Sequence, residues 1–283
     1  MKLPFALAKR FVAGETFERA VPQVRAINEK GIAVTLDLLG EYVKERDVAS
    51  QNVEDYIQLI QNIERVGINS TISIKLTMIG LKIDRMFCEE NLFRLLQVAR
   101  EKDLFVRIDM EGSDVTQDTI EVFQKAYKEF GKHVGIVLQA YLHRTKDDVR
   151  ELAEAGADIR LCKGAYREPE RVALQKMPAI RDAFKDYATI LLDKTPFPRI
   201  ATHDDELVNW VQTYTREQSI GPSRFEFQML YGLRQETMEQ LTADGYKTRV
   251  YVPYGTMWFP YFKRRLLERK ENIFFVASTM FKK

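Results

Sequence analysis

Two arginines stand side by side near the end of this sequence, within the pattern Tyr261-x-x-Arg264-Arg265-x-x-Glu268. On a helix turning about 100° per residue, those four side chains share an arc of roughly 100°. Phe259, Phe262 and Leu266 form an apolar stripe beside them. Such a face is either a solvated surface with an Arg–Glu pair or a clamp whose guanidinium forks grip a carboxylate. Further polar residues interrupt apolar runs elsewhere: Lys75, Asp109, Gln139, Arg160 and Gln228. Charges inside a fold must pair with one another or with a ligand. If these groups meet the two arginines at one mouth, the excess of cation selects a small anion. The turn Lys163-Gly164-Ala165-Tyr166 adds backbone N–H groups and a lysine able to approach a phosphate.

Absences narrow the chemistry. The 283 residues include three histidines, scattered along the chain, and two cysteines, Cys88 and Cys162. Neither a zinc site nor a disulfide framework is expected from them, and a reducing compartment is the default. There is no Gly-x-Ser-x-Gly elbow and no Walker loop, so acyl and phosphoryl transfer lose support. With 43 basic and 41 acidic residues, no general drive towards nucleic acid exists. The apolar run before Lys9 and Arg10 is too short for a signal peptide or a membrane span. A hydrophobic content of 45% supports a large core.

The elements that must position these groups recur as strand followed by helix. Strands are expected at 32–38, 71–76, 104–109, 134–140, 158–162, 199–202, 225–229 and 248–252. Helical patterns include 53–65, 90–102, 115–130, 147–155 and 236–243, with another over 12–29 ahead of the first strand. Gly67, Gly131, Gly156 and Gly245 follow helical stretches as C-caps, and Thr145 with Asp148 reads as a capping box. Eight alternating units imply an α/β fold, a (β/α)8 TIM-like barrel with an N-terminal helix and a C-terminal helical extension. A doubly wound sheet would want a Gly-rich turn after its first strand, and Leu39-Gly40-Glu41 is not one. One barrel domain then occupies residues 1–283.

Side chains alternate faces along a strand. One parity is apolar, as in Val34, Leu36 and Leu38 or Phe225, Phe227 and Met229, and should meet the helices. The other carries Thr35, Asp37, Ser73, Lys75, Thr77, Arg107, Asp109, Glu111, Gln139, Arg160, Glu226 and Gln228, and must point into the barrel. Barrel interiors are normally filled with branched apolar residues, and active sites lie at the C-terminal strand ends. Two readings stand: an ion-pair network filling the barrel, or a polar ligand bound at its mouth.

Beyond these arguments the chain resembles the proline dehydrogenase family over nearly its whole length. The resemblance is carried by Phe11-Val12-Ala13-Gly14-Glu15, Leu39-Gly40-Glu41, Ile74-Lys75-Leu76, Ile108-Asp109-Met110-Glu111 and Val137-Leu138-Gln139-Ala140-Tyr141. It continues through Arg160-Leu161-Cys162-Lys163-Gly164-Ala165-Tyr166, Ala201-Thr202-His203, the stretch from Phe225 to Gly232, Val252-Pro253-Tyr254-Gly255 and the double-arginine pattern. It implies FAD as cofactor, L-proline as substrate and oxidation to Δ1-pyrroline-5-carboxylate. It implies that Lys75, Arg264 and Arg265 hold the proline carboxylate and that Asp109 and Arg160 are the active-site charges. Met110, Gln139, Lys163, Gly164, Ala165, Thr202, His203 and Gln228 would contact FAD. Tyr166, Leu230, Tyr254 and Tyr261 would wall the proline ring. The resemblance also implies a quinone acceptor, hence a cytoplasmic enzyme making peripheral contact with the inner face of a membrane. Cys162 departs from an expected aliphatic residue, and Asp204 stands where Asn is familiar. Two rival readings remain: a flavin barrel that reduces a methylene-folate, and a barrel that has become a scaffold.

Overall fold

A computed structural model describes residues 5–40 and 42–268, with the backbone alone for 266–268. After α1 (Phe17–Asn28) the chain runs β1 (Ala33–Leu38), α2 (Arg46–Val66), β2 (Ser70–Ile74), α3 (Arg85–Glu101), β3 (Val106–Ile108) and α4 (Thr116–Phe130). It continues with β4 (Val134–Gln139), α5 (Thr145–Glu154), β5 (Asp158–Cys162), α6 (Met177–Lys194), β6 (Arg199–Ala201) and α7 (Asp205–Glu217). The last elements are β7 (Glu226–Leu230), α8 (Gln235–Ala243), β8 (Lys247–Tyr254) and α9 (Trp258–Glu268). The strands close into a barrel in chain order, and β8 returns in parallel register to β1, with Thr35 opposite Tyr251. This is the (β/α)8 architecture expected from the alternating pattern.

Alternation of side chains divides the molecule into two shells. Val34, Leu36, Ile72, Ile74, Val106, Ile108, Ile136, Leu138, Ile159, Leu161, Phe225, Phe227 and Met229 all point outward and are buried in the main core. Val53, Tyr56, Ile57 and Ile60 of α2 pack into that same core, at the i, i+3, i+4, i+7 spacing of an amphipathic helix. Gly67 ends α2 in the left-handed conformation that a Cβ disfavours. At α5 the expected capping box is absent. Arg144 is the N-cap, and the Thr145 hydroxyl instead donates to the Gln139 carbonyl at 2.7 Å.

A second cluster joins the ends of the chain over the barrel. Leu7, Phe11, Val12 and Leu39 pack with Trp258, Tyr261 and Phe262, which seats α9 on an apolar plug. The apolar stripe of α9 differs from the expected one: Trp258 is buried, whereas Phe259 is 47% exposed. The ring of Trp258 lies edge-on to Phe5 and Phe262 and takes that place instead. The side chains of Leu266 and Glu268, and all of 269–283, lie outside the described residues. Among the described residues no helix is long and apolar enough to cross a membrane.

Candidate active site at the C-terminal strand ends

The inward parity of β1, β2, β3, β5 and β8 converges on one buried chain of charges. Lys75 follows β2 and donates to Asp37 Oδ1 at 2.7 Å, with Asp109 Oδ2 at 3.8 Å. Asp109 follows β3; its Oδ1 receives the Arg160 guanidinium and, at 2.5 Å, the Ser73 hydroxyl. Its Oδ2 accepts from the Tyr251 hydroxyl at 2.7 Å. Arg160 also donates to Ser73 at 3.0 Å and to Gln228 Oε1 at 3.3 Å, and stands over the Tyr251 ring at 5.2 Å. Burial works against the Lys75 ammonium, but the Asp37 and Asp109 carboxylates more than offset it and hold its pKa above the ordinary value. Burial, then Asp109 and Asp37, push the Tyr251 hydroxyl well up, so it stays a donor.

A second tier lies towards the N-terminal end. Arg107 pairs with Asp158 and donates to the Ile136 carbonyl at 2.9 Å. Arg199 bridges Asp158 at 2.7 Å and Glu226 at 3.0 Å, and Arg249 donates to Glu226 at 2.9 Å. Gln228 Nε2 reaches Glu226 Oε1 at 2.7 Å and so connects the tiers. Sequence reasoning assigned inward roles to Arg107 and Glu226 but missed Asp158, Arg199, Arg249 and Tyr251. The signal was present: Arg249 and Tyr251 share one parity of β8, and Arg199 opposes both Arg160 and Glu226 in register.

The rim gathers most of the remaining candidates. Leu230, at the end of β7, opposes Tyr251 and shares its inward parity. Burial pushes the Tyr166 hydroxyl up to about 12; Glu111 adds to this, while Lys75 and Arg264 oppose it. Tyr166 thus feels the charges of both Lys75 and Arg264, the latter exposed on α9. The Arg265 guanidinium is buried and lies 5.4 Å from the centre of the Tyr261 ring. Tyr254 is a correction. It pairs with Leu38 on the outward parity, packs at 6.5 Å against Phe17 of α1 and belongs to the outer core. Tyr251, three residues earlier, carries the ring that β8 delivers to the interior.

The residues assigned to FAD follow β3 to β7. Gln139 Nε2 donates to the carbonyls of Met110 and Glu111 at 3.2 and 3.3 Å, while its Oε1 is buried with no hydrogen-bond partner. A buried carbonyl oxygen in that state calls for a donor, and an isoalloxazine ring carries an N–H that fits. Gly164 has φ +112°, and a Cβ there would meet the Tyr141 ring at 2.2 Å, so the turn after β5 requires glycine. Ala165 beside it is exposed. Lys163 donates to Asp204 at 2.8 Å, as does Arg181 at 2.9 Å. Burial opposes ionisation of Asp204, but hydrogen bonds from Arg181 and Lys163 hold its pKa down at about 2. Thr202 accepts from the Asp204 N–H at 3.1 Å, and His203 Nε2 accepts from the Leu230 N–H at 2.8 Å, which leaves the ring proton on Nδ1. Cys162 points inward opposite Gln139, and burial raises its thiol to about 11, so it is no thiolate. The donor set and the orphaned Gln139 oxygen fit a flavin nucleotide.

Comparison with known proteins agrees in kind. A family profile described as proline dehydrogenase matches residues 20–278. Proline dehydrogenase 2 of Bacillus subtilis (strain 168) is 40% identical over 276 residues, covering 98% of this chain and 91% of that protein. Proline dehydrogenase of Deinococcus radiodurans is 38% identical over 280 residues, with 98% and 90% covered. Among solved structures, proline utilization A from Bdellovibrio bacteriovorus, inactivated by N-propargylglycine, superposes with a TM-score of 0.87 at 26% identity. The match covers 93% of this chain but 33% of that one, so this chain spans about a third of that protein's length. By profile, by identity over nearly its whole length and by fold, this chain belongs to the proline dehydrogenase family.

Proposed function

We propose that this chain is one catalytic unit that oxidises L-proline to Δ1-pyrroline-5-carboxylate, the first step of proline catabolism. The chain is an FAD-dependent oxidoreductase acting on a CH–NH donor. The observation that carries the reading is the buried Asp37–Lys75–Asp109–Arg160 chain beneath a helix bearing Arg264 and Arg265. FAD, held by the residues after β3 to β7, would supply a two-electron acceptor, by hydride transfer to its N5, for oxidation at the carbon beside the ring nitrogen.

The protein's part is to bind, orient and polarise. Lys75, Arg264 and Arg265 hold the carboxylate, and paired charged hydrogen bonds fix the ring in a near-attack position. Tyr166, Leu230 and Tyr261 wall the ring, with Tyr251 in the place first given to Tyr254. Asp109 fixes Arg160, whose positive charge faces the negative charge that develops on reduction. Met110, Gln139, Lys163, Gly164, Ala165, Thr202, His203 and Gln228 hold the cofactor. Asp37 and Asp109 are engaged by Lys75, Arg160 and Tyr251, so proline enters as the neutral amine rather than yielding its proton to a carboxylate. Electrons pass on to a quinone-type acceptor reached at a membrane surface.

The test is anaerobic. The purified protein is expected to be yellow and to bleach on addition of L-proline. Bleaching by NADH alone would favour reduction of a methylene-folate, and a colourless protein that takes up no FAD would mark a scaffold. Reoxidation of the reduced enzyme by a soluble quinone analogue checks the acceptor.

A further inference from the structure

Beneath Arg160, between the two tiers, lies an internal cavity with room for about one water-sized particle. Among the described residues its lining includes the side chains of Arg107, Arg160, Arg199 and Arg249 and no carboxylate. Thr35, Thr71, Gln228 and Phe105 complete the lining, and the Arg107 and Arg199 guanidiniums stand 4.7 and 5.5 Å from the Phe105 ring centre. Asp158 and Glu226 pair with Arg107, Arg199 and Arg249 without lining the cavity. Three guanidiniums therefore share two carboxylates, and one positive charge is left over in a buried tier. Arg160 is balanced separately by Asp109. The surplus is felt by Arg107. Burial lowers its pKa first, and the charges of Arg199 and Arg160 add to that against Asp158, bringing it to about 10.

We propose that this cavity is a buried site for one halide-sized monovalent anion, held by Arg107, Arg199 and Arg249 beneath Arg160. A guanidinium has donors only. A water among four of them could aim its hydrogens only at the oxygens of Thr35, Thr71 and Gln228, which are already engaged with one another, with Arg249 and with Arg160, whereas an anion accepts from each guanidinium. A halide is a few tenths of an ångström larger in radius than water, which long arginine side chains accommodate. A single negative charge cancels the surplus of the tier. A wider recess lined by Asn69, Glu226, Lys247 and Arg249 lies at the N-terminal end of the barrel and shares Arg249 with the cavity.

The flavin-loaded enzyme provides the test, and its readouts do not depend on which substrate is oxidised. Crystals grown in sodium bromide are expected to show one anomalous peak within hydrogen-bond distance of Arg107, Arg199 and Arg249. The melting temperature should rise and saturate with sodium chloride, by on the order of 5 °C at a hundredfold excess over Kd. Sodium gluconate at equal ionic strength should leave it unchanged. Arg249→Met should remove both the peak and the chloride dependence; if that variant fails to fold, the wild-type measurements decide alone. A refined water with no anomalous signal overturns the proposal, as does melting that is equal in both salts. A bromide peak without chloride-dependent melting means binding at crystal concentration only, and overturns it as a site in solution.

Discussion

Removing the Tyr251 hydroxyl tests whether the upper tier acts as one network. In Tyr251→Phe the aromatic ring remains over Arg160, so the cation–π contact at 5.2 Å is retained. What disappears is the 2.7 Å hydrogen bond to Asp109 Oδ2, an atom whose other charged partner, Lys75, stands at 3.8 Å. A hydrogen bond to a charged group contributes about 1.5–3 kcal/mol, so the expected loss is about 2 kcal/mol. For a chain of this size that lowers the melting temperature by roughly 3–4 °C. Asp109→Asn should be more damaging, about 3–5 kcal/mol, because it leaves buried cations short of a counter-charge. In that background the Tyr251 hydroxyl faces a neutral amide, and its removal should cost only about 1 kcal/mol. Urea unfolding of the four proteins at fixed FAD concentration gives the cycle, with a coupling of about 1 kcal/mol expected. Additivity within about 0.5 kcal/mol would refute the network and leave Tyr251 and Asp109 as independent residues.

Four further outcomes are expected. Arg264→Met and Arg265→Met should each raise KM for proline about ten- to a hundredfold with a smaller change in kcat; an unchanged KM in both removes the carboxylate clamp. Gln139→Leu should weaken FAD binding about tenfold, since one hydrogen bond is worth roughly 1 kcal/mol, and fluorescence titration of the apoprotein measures it. Gly164→Ala drives a Cβ into the Tyr141 ring at a φ of +112°, so flavin retention on gel filtration should fall sharply, while far-UV circular dichroism stays barrel-like. Burial opposes ionisation of the Asp158 carboxyl, but Arg107 and Arg199 hold its pKa at about 2, below the ordinary 3.8 of an aspartate. A depressed folded pKa stabilises above the unfolded value and is lost as pH falls through the folded one. Asp158 should thus contribute about 2 kcal/mol near neutrality that vanishes between about pH 4 and 2, a dependence that Asp158→Asn abolishes in acid-denaturation curves.

Much of this arrangement was legible because strand parity is a strict rule. Once Val34, Leu36 and Ile72, Ile74 are taken as outward, Asp37, Ser73 and Lys75 have only one direction left. Parity failed where strands carry few apolar markers. In β6, Arg199–Ala201, a strand of three residues offers Ile200 alone as a guide, and Arg199 passed unnoticed. In β8 the apolar Val250 and Val252 do reveal the phase, yet Tyr254 drew attention through a motif although its parity pointed away from the mouth. Thr145 shows a different limit, since the capping reading was overridden by a tertiary acceptor, the Gln139 carbonyl. The ring that α9 buries, Trp258 rather than Phe259, depended on where Phe5 and Phe262 lie, which helical periodicity does not encode.

The ion-pair network and the ligand site were posed as alternatives; the network is present in two tiers, and on the reading proposed above the ligand site lies over the upper one. In the lower tier the cations Arg107, Arg199 and Arg249 have carboxylate partners that lie within the barrel itself, Asp158 and Glu226. In the upper tier Lys75 and Arg160 are paired through Asp37 and Asp109, and two further cations, Arg264 and Arg265, are carried on α9. On the same reading, a carboxylate substrate adds to charges that are already paired and takes its counter-charge from Arg264 and Arg265 together with Lys75. Such a division makes sense physically. The lower tier and Gln228 hold Arg160 from below through Glu226, so the guanidinium assigned to the cofactor does not depend on the substrate for its position. The arginines assigned to the substrate carboxylate are carried instead on a helix anchored by the terminal cluster around Phe11, Trp258 and Phe262. Loosening that cluster, as in Phe11→Ala, should therefore change KM while leaving the Asp109–Arg160 pair, and the chemistry it supports, in place.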